Sequence, residues 1–302
     1  MRTIIIGTRG SDLALYQANL VREFLSDRHG VSATLEVIRT AGDKIDSLPF
    51  EKMEGKGFFT KELEDSLLAG ASDIAVHSLK DLMTAQPPGL TIAAVGQRED
   101  RHDLLLFHSR ASAGSGTLPL QPGSIIGAGS ARRRTLIRSL NPDLKVRPIR
   151  GNVPTRIGKL RGGDYDAIII AAAGVNRLQL DLGDVKSVTL DPEDFPPAPG
   201  QGTLAIQTRQ DESALIAMFD QFGTDIEKAE TYLERGLLSR FDAGCSLPLG
   251  VYSRVADGEY RLLATLGPAD ESAGIDLRRA EAVGDDPDEI IDSVFKRLTE
   301  NA

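Results

Sequence analysis

The chain has 302 residues, of which 41% are hydrophobic and 26% are charged, with a formal net charge of −9 and a single cysteine. This length predicts two or three domains, each able to bury an ordinary core. The negative charge argues against bulk binding to nucleic acid or anionic membranes. The lone cysteine excludes an internal disulfide, and no apolar run reaches the roughly 18 residues of a membrane span.

Strand and helix signals alternate through the first third of the chain, beginning with a strand over Ile4–Gly7 that is too short for a signal-peptide core. The further elements predicted here are a helix over Asp12–Arg28, a strand over Ala33–Thr40, a helix over Phe59–Leu68, and strands over Ile74–Val76 and Leu90–Val95. Because there is no secretion signal and the free cysteine suits a reducing compartment, we expect the chain in the cytoplasm.

A polar crossover at Gly96–Asp103 leads into a second α/β region. Its predicted elements are strands over Leu104–Phe107, Ser124–Gly127, Val146–Ile149 and Ala167–Ala172, with helices over Ala131–Leu140, Val153–Arg161 and Val175–Leu180. A proline-rich crossover at Asp194–Gly200 precedes a strand over Thr203–Gln207, which we expect to return to the first domain. Two crossovers predict a hinged, two-lobed clamshell that binds its ligand at the carboxyl ends of the strands.

The pattern changes from about residue 225, where an amphipathic helix over Ile226–Phe241 precedes three strands and a closing helix over Pro287–Thr299. The strands cover Leu249–Val255, Tyr260–Leu266 and Asp276–Val283. The short polar turns between them predict a small α+β domain with a three-stranded antiparallel sheet. The predicted domains are therefore residues 1–99 with 201–222, residues 100–200 with hinge segments at 96–103 and 194–200, and residues 223–302.

Arginine is concentrated in one stretch of this acidic chain. From Arg132 to Arg177 there are nine Arg and two Lys against three acidic residues. Turns that combine glycine with arginine follow four predicted strands, at Gly7–Ser11, Gly127–Arg134, Arg150–Arg156 and Ala173–Arg177. Such turns present backbone N–H groups to an anion, and guanidinium forks pair with carboxylates or phosphates. A solvated basic face is the plainer interpretation, but the position of the arginines at strand ends favours a site for several carboxylates.

Two further residues are candidates for chemistry. The segment from His77 to Asp81 follows a buried strand, so we expect Asp81 at the cleft. A carboxylate among arginines can stabilise a developing cation and shuttle protons there, although a surface ion pair of Asp81 with Lys80 is the alternative. Cys245 lies in a loop rich in glycine and proline, where reactive side chains are often displayed. A lone cysteine is otherwise commonly a small buried hydrophobe.

Taken together, several segments resemble the porphobilinogen deaminase (hydroxymethylbilane synthase) family over essentially the whole chain. They are Thr8–Ser11, Gly42–Lys44, Gly55–Leu63, His77–Asp81, Arg98–Asp100, Arg150–Val153, Pro199–Gly202 and Gly244–Cys245. The resemblance implies an α/β fold with two lobes like periplasmic binding proteins and a small third domain. It also implies a transferase of porphyrin and haem biosynthesis, which joins four porphobilinogen units with loss of ammonia into the linear tetrapyrrole hydroxymethylbilane.

The resemblance implies roles for individual residues as well, because porphobilinogen and the growing polypyrrole chain carry many carboxylates. A dipyrromethane cofactor would be attached covalently to Cys245 through a thioether, and catalysis would involve Asp81, Lys80 and Arg9. The residues implied at the cofactor are Asp81, Lys80, Ser78, Ser130, Arg132, Arg133 and Gly174; those at the substrate are Arg9, Ser11, Arg150, Arg156, Arg177 and Gln201; Lys56 and Phe59 belong to a loop over the cleft. No metal, nucleic-acid or membrane partner is implied, and the family favours a monomer.

Some positions depart from the family's pattern. Ala128 and Gly129 stand where hydroxyl side chains are usual, Met83 where proline is usual, and Gln207 where an acid is common. Each lost hydrogen bond to a charged group costs roughly 1.5–3 kcal/mol unless water replaces it. The main alternative function is a non-catalytic anion-binding clamshell, such as a solute-binding or sensor protein, which predicts no covalent cofactor. A third hypothesis is that Arg132, Arg133 and Arg134 contact nucleic acid, which the acidic remainder of the chain disfavours.

Overall fold

The structure is a computed structural model that describes residues 2–40, 60–241, 247–268, 274 and 276–300. The chain divides into two compact units. The first comprises Met1–Glu99 with Gly202–Thr231, and the second comprises Asp100–Gln201 with Tyr232–Ala302. In the predicted three-domain division the C-terminal region stands alone, and that division stays a prediction.

The first unit is built around one five-stranded sheet. Its elements, numbered in chain order, are β1 (Ile4–Thr8), α1 (Asp12–His29), β2 (Ala33–Val37), α2 (Lys61–Leu68), β3 (Ile74–Ser78), β4 (Leu90–Gly96), β10 (Leu204–Arg209) and α6 (Ser213–Ala217). The strand order is β2-β1-β3-β10-β4, with β1 parallel to β2 and β3, and β10 antiparallel to both of its neighbours. The predicted return of the chain to the first sheet is thus confirmed.

Local sequence sets both ends of α1. The Ser11 hydroxyl accepts a hydrogen bond from the backbone N–H of Ala14 (3.3 Å), which caps the first turn. Gly30 ends the helix in a left-handed conformation (φ 63°), which glycine adopts without a Cβ clash. The buried side chains of α1, among them Val21 and Leu25, pack against apolar residues of β1, β3 and β10. The Ser11 cap thus sets the start of α1, directly after the first predicted anion-binding turn, and the packing holds the helix on the sheet.

A second five-stranded sheet forms the first part of the second unit. Its elements are β5 (Asp103–Phe107), β6 (Ile125–Ala128), α3 (Ala131–Leu140), β7 (Lys145–Pro148), α4 (Val153–Arg161), β8 (Ala167–Ala171), α5 (Ala172–Arg177) and β9 (Lys186–Thr189). The strand order is β7-β6-β8-β5-β9, with β6 parallel to β7 and β8, and β5 antiparallel to β8 and β9. Ile169 packs into one core cluster and Ile168 and Ile170 into another, so both faces of β8 are covered, as its apolar sequence predicts.

Several elements differ from the sequence prediction. α5 begins at Ala172 rather than at Val175, directly after β8 and without a loop. The strand β9 and the helix α6 were not expected, because one is a short, largely exposed edge strand and the other is little more than one helical turn. Asp103 begins β5 instead of lying in the crossover, because its backbone pairs with β8. This last shift matters for the site, since it buries the Asp103 side chain.

The C-terminal region carries a separate three-stranded sheet. Its elements are α7 (Asp225–Arg240), β11 (Leu249–Ala256), β12 (Glu259–Leu266), β13 (Arg278–Gly284) and α8 (Pro287–Thr299), and the division between the two units falls within α7. The strands pair antiparallel in the order β11-β12-β13. Asp286 caps α8, which begins with Pro287, and apolar residues of both helices form one cluster with the sheet. The predicted α/β class with a small C-terminal antiparallel sheet is confirmed.

Candidate active site

Two polar turns lie at the same edge of the first sheet. β1 and β3 are parallel neighbours, with Gly7 level with Ala75, so the turns that follow them emerge side by side. The residues predicted for the site at this edge are Arg9, Ser11, Ser78, Lys80 and Asp81. The structure therefore places at one edge the described site residues that the sequence predicted within residues 1–99, whereas Gln201, predicted with the first domain, lies in the second unit.

The turn that carries Asp81 is a short 3-10 helix, Leu79–Asp81, which is anchored by buried groups. Leu79 and Leu82 are buried and pack with Ala205 of β10. The backbone N–H of Leu79 also donates to the backbone oxygen of Thr203 at 3.0 Å. Asp81 itself is exposed. The Asp81 carboxylate is therefore presented at the surface from a backbone that is held in place on both sides.

Ser78, predicted at the cofactor, is hydrogen-bonded within the first unit. The buried side chain of Gln17 in α1 donates from Nε2 to the Ser78 hydroxyl at 2.9 Å. The hydroxyl therefore has a defined position at the end of β3, and its contact with the cofactor stays a prediction.

His77 directly precedes Ser78 in β3, and it is a buried titratable residue. Its Nε2 lies 3.0 Å from Oε1 of Gln207 in β10. Burial lowers the pKa of His77 from 6.5 to about 4; the hydrogen bond with Gln207 opposes this effect, and the charge of Arg9 adds to it. The imidazole is therefore neutral at neutral pH.

We expect His77 to make stability depend on pH between its two pKa values, 6.5 and about 4. Below 6.5 the unfolded chain binds a proton, whereas the folded chain binds it only near 4. The free energy of unfolding is therefore highest above pH 6.5. It falls by on the order of 3 kcal/mol as the pH is lowered from 6.5 to about 4. Denaturant unfolding of the natural protein and of His77→Gln across this range tests the expectation. Only the natural protein should show the added loss, and parallel curves would contradict it.

The second sheet has an equivalent edge that carries arginines. β6, β7 and β8 are parallel neighbours, so the segments that follow them share one edge. The predicted site residues there are Ser130, Arg132 and Arg133 after β6, Arg150 and Arg156 after β7, and Gly174 and Arg177 in α5 after β8. They all follow the carboxyl ends of three adjacent strands, where open α/β sheets bind ligands.

The small residue Gly129 in the turn after β6 has a steric role. A Cβ at Gly129 would lie 2.8 Å from Nη1 of Arg156, so any side chain there would require the guanidinium to move. Arg156 donates from Nε to the backbone oxygen of Gly151 at 2.7 Å, which holds it in this place. The neighbouring Ser130 caps α3 by accepting a hydrogen bond from the backbone N–H of Arg133. The missing hydroxyl at residue 129 thus makes room for an arginine of the site.

A buried acid, Asp103, pairs with two of the arginines. Its carboxylate accepts hydrogen bonds from Nη2 of Arg132 at 2.8 Å and from Nη2 of Arg133 at 2.6 Å. The exposed fractions are 0% for Asp103, 4% for Arg132 and 6% for Arg133. Burial favours the neutral acid, yet the two guanidinium charges outweigh it and hold the pKa of Asp103 well below its usual range. The carboxylate is therefore ionised, and two positive charges share one negative partner.

Gln201, predicted at the substrate, belongs to the same buried cluster. Its Nε2 donates to Oδ1 of Asp103 at 2.9 Å and to the backbone oxygen of Arg101 at 2.8 Å. Arg132 reaches the other crossover segment by donating to the backbone oxygen of Pro196 at 2.7 Å. The cluster therefore ties both crossover segments to α3, and contact of Gln201 with substrate stays a prediction.

Sequence analysis missed Asp103 as a member of the second edge, and it placed His77 in the segment that follows β3, whereas the structure buries His77 within that strand. A signal existed for Asp103, since a charged residue directly before the apolar run Leu104–Phe107 would be buried and would need a partner. No comparable signal marks His77, because its partner Gln207 lies 130 residues further along the chain.

Comparison with known proteins identifies the family to which the chain belongs. Residues 4–217 match the family model described as porphobilinogen deaminase, dipyromethane cofactor binding domain, and residues 228–300 match the porphobilinogen deaminase C-terminal domain. The chain belongs to the porphobilinogen deaminase family. It is 42% identical to the porphobilinogen deaminase of Sulfurimonas denitrificans, with 88% of this chain and 84% of the relative covered. It is 37% identical to that of Maridesulfovibrio salexigens, with 98% and 100% covered. The predicted family is confirmed.

Solved structures to which the chain is similar include two of periplasmic origin. The Bordetella pertussis BvgS periplasmic VFT2 domain is 15% identical, with 78% of this chain and 92% of that chain covered and a TM-score of 0.45. An arginine transport system periplasmic binding protein from Legionella pneumophila is 12% identical, with 78% and 98% covered and a TM-score of 0.43.

The arginine edge of the second unit suits the dipyrromethane for which the matched domain is named. Each pyrrole of that group carries an acetate and a propionate, so it is a compact polyanion. Within the described part of the chain, the Nε atoms of Arg132 and Arg133 are buried without a hydrogen-bond partner. Asp103 offsets only one of the two guanidinium charges. A bound carboxylate at this edge of the porphobilinogen deaminase fold would balance the other.

Three predicted residues lie outside the described residues: Cys245, Lys56 and Phe59. The thioether at Cys245 and the loop role of the other two stay predictions. Among the residues that the structure describes, no group of three or more His, Cys, Asp or Glu could hold a metal ion. No helix in the same residues is long and apolar enough to cross a membrane.

Proposed function

We propose that the chain is a transferase that joins four porphobilinogen units, with loss of ammonia, into hydroxymethylbilane. Two family models that together match most of the chain, and relatives that bear the name porphobilinogen deaminase, support this activity. The structural observation that carries it is the exposed Asp81 carboxylate, held on an anchored turn beside the turn of Arg9. A non-catalytic anion-binding protein would need the arginines but would have no use for this carboxylate.

Asp81 is the residue to which we assign the chemistry. In each step the aminomethyl carbon of one porphobilinogen loses ammonia and is attacked by the free α-carbon of the acceptor pyrrole, which then loses its proton. The carbon that loses ammonia becomes cationic, and a carboxylate nearby stabilises that charge and can accept the proton. Asp81 also accepts hydrogen bonds from pyrrole N–H groups. Lys80 and Arg9 hold the carboxylates of the reacting units at the same edge.

The remaining site residues bind the anionic side chains of the substrate and of the cofactor. Guanidinium groups suit this role because they form paired hydrogen bonds with carboxylates. We assign Ser78, Ser130, Arg132, Arg133 and Gly174 to the cofactor, and Ser11, Arg150, Arg156, Arg177 and Gln201 to the substrate. The concentration of arginine at strand ends of an acidic chain supports the assignment.

The cofactor that we assign is a dipyrromethane attached through a thioether to Cys245, the single cysteine of the chain. When bound, it supplies a fixed pyrrole to which the first substrate is added, and it remains with the enzyme when the product is released. Lys56 and Phe59 would belong to a loop over the site. We also infer a monomer that works in the cytoplasm, which the family resemblance and the single free cysteine support.

The mass of the intact protein tests this function. We expect the natural protein to exceed the mass of its sequence by one dipyrromethane, and Cys245→Ser to lack both the increment and the activity. Ser matches the size of Cys, but its hydroxyl is a far weaker nucleophile than a thiolate. A natural protein that stays unmodified and inactive after porphobilinogen is supplied would contradict the proposal and favour the anion-binding alternative.

A further inference from the structure

We propose that Gln207 and Gln86 are positioning residues, which fix the turn of Asp81 through a chain of three hydrogen bonds. The proposal rests on the proposed function, since Asp81 is assigned to catalysis only there. The chain runs from Nε2 of His77 to Oε1 of Gln207 (3.0 Å), from Nε2 of Gln207 to Oε1 of Gln86 (2.8 Å), and from Nε2 of Gln86 to the backbone oxygen of Met83 (2.7 Å). Its two ends lie on either side of Asp81 in the sequence.

The backbone determines the direction of all three hydrogen bonds. A carbonyl oxygen only accepts, so Gln86 must donate its N–H to Met83 and turn its own oxygen toward Gln207. Gln207 must then donate to Gln86 and present its oxygen to His77. His77 is left with the role of donor, which selects the neutral tautomer that carries its proton on Nε2. The chain therefore has one consistent arrangement.

Sheet geometry brings the members of this chain together. In the β3–β10 pair, Ala205 lies opposite His77 and Gln207 lies opposite Ala75, so His77 and Gln207 are diagonal neighbours on one face. The pairing of β10 with β4 changes register between Ile206 and Gln207. Such an irregularity re-aims a side chain, here one that is fully buried and bonded to two partners.

The hydrogen bonds close a loop around the turn. Buried Leu79 and Leu82 anchor the part of the turn nearest to β3, and the Gln86 side chain holds the carbonyl of Met83 beyond it. The covalent path from His77 to Met83 is thus matched by a second path through the two glutamines. We expect the loss of that second path to let the Asp81 carboxylate shift, and shifts of about 1 Å in a reacting group cost about 100-fold in rate.

The experiment compares Gln86→Met, which has similar length but no hydrogen bond, with Gln210→Met as the matched control. The Gln210 side chain donates to the backbone oxygen of Leu90 at 3.1 Å, outside the chain of His77. We expect Gln86→Met to lower kcat by roughly 10- to 100-fold with little change in KM, and Gln210→Met to leave both unchanged. His77→Gln keeps an N–H donor where Nε2 lies and should retain turnover, whereas His77→Leu should lose it.

Two readouts do not depend on turnover. Nitrogen NMR of the natural protein should show His77 protonated at Nε2 at neutral pH. Hydrogen exchange of the Leu82 amide, which donates to the backbone oxygen of Leu79 at 3.1 Å, should become faster in Gln86→Met and not in Gln210→Met.

The outcomes separate this proposal from the proposed function. Equal kcat in the two glutamine variants, or a proton on Nδ1 of His77, would overturn the positioning role even if the enzyme is active. If the natural protein has no deaminase activity, the proposed function fails. The tautomer and the exchange of the Leu82 amide then still decide whether the hydrogen-bond chain fixes the turn.

Discussion

Replacing Asp81 with Asn is expected to lower the turnover of porphobilinogen by about 10²- to 10³-fold while the protein stays folded. Asn keeps the size of the side chain and one acceptor oxygen, but it lacks the negative charge that stabilises the cation formed when ammonia leaves. Asp81 is exposed, and its turn is anchored by Leu79 and Leu82, so the carboxylate contributes little to the fold. A large loss of rate with a small loss of stability distinguishes a catalytic carboxylate from half of a surface ion pair with Lys80.

Ammonia release and thermal unfolding, measured on the same preparations, check this result. Asp27→Asn removes another exposed carboxylate of the first unit, on α1 and away from the two turns, and it should leave turnover unchanged. Asp81→Glu keeps the charge but displaces it by one methylene, so an intermediate rate is expected. Near-normal turnover in Asp81→Asn would remove this residue from its proposed role.

The edges of the two sheets could be predicted because their signals are local. The glycine turn before Ser11 marks the end of β1, and the apolar residues Ile74, Ala75 and Val76 mark β3, which ends two residues later at Ser78. Parallel strands share a carboxyl edge, so the order of strand and helix signals was enough to bring Arg9 and Asp81 to one side of a sheet. The two crossover segments likewise predicted that β10 would rejoin the sheet of the first unit.

The partners of the buried charges could not be predicted, because strand pairing brings them together from distant parts of the sequence. The sequence shows arginines at the start of α3 without a nearby acid, and they therefore resemble exposed cations that await an anion. In the structure Arg132 and Arg133 are buried and already share Asp103, which lies 29 and 30 residues earlier. Because one carboxylate balances only one of the two guanidinium charges, a ligand carboxylate can balance the other.

The Asp103→Asn variant is expected to lose about 3–5 kcal/mol of unfolding free energy, as when one partner of a buried ion pair is removed. The amide accepts through one oxygen only, and its NH₂ group must then face a guanidinium or Nε2 of Gln201, which are donors themselves. The lowered pKa of Asp103 sets the pH dependence. The stabilisation from the ionised Asp103 is complete above its ordinary pKa of 3.8 and is lost as the pH falls from there through its lowered pKa. The unfolding free energies of the natural protein and of Asp103→Asn should therefore converge in acid.

Two further variants show whether unbalanced charge causes this loss. Asp184→Asn removes an exposed carboxylate of the same unit that pairs with Arg161 at 3.3 Å, and it should cost less than about 1 kcal/mol. Asp103→Asn combined with Arg132→Met removes one charge of each sign and should be more stable than Asp103→Asn alone. If the double variant gains nothing, the loss has another origin than charge. If Asp103→Asn and Asp184→Asn unfold alike, Asp103 does not hold the arginines at this edge.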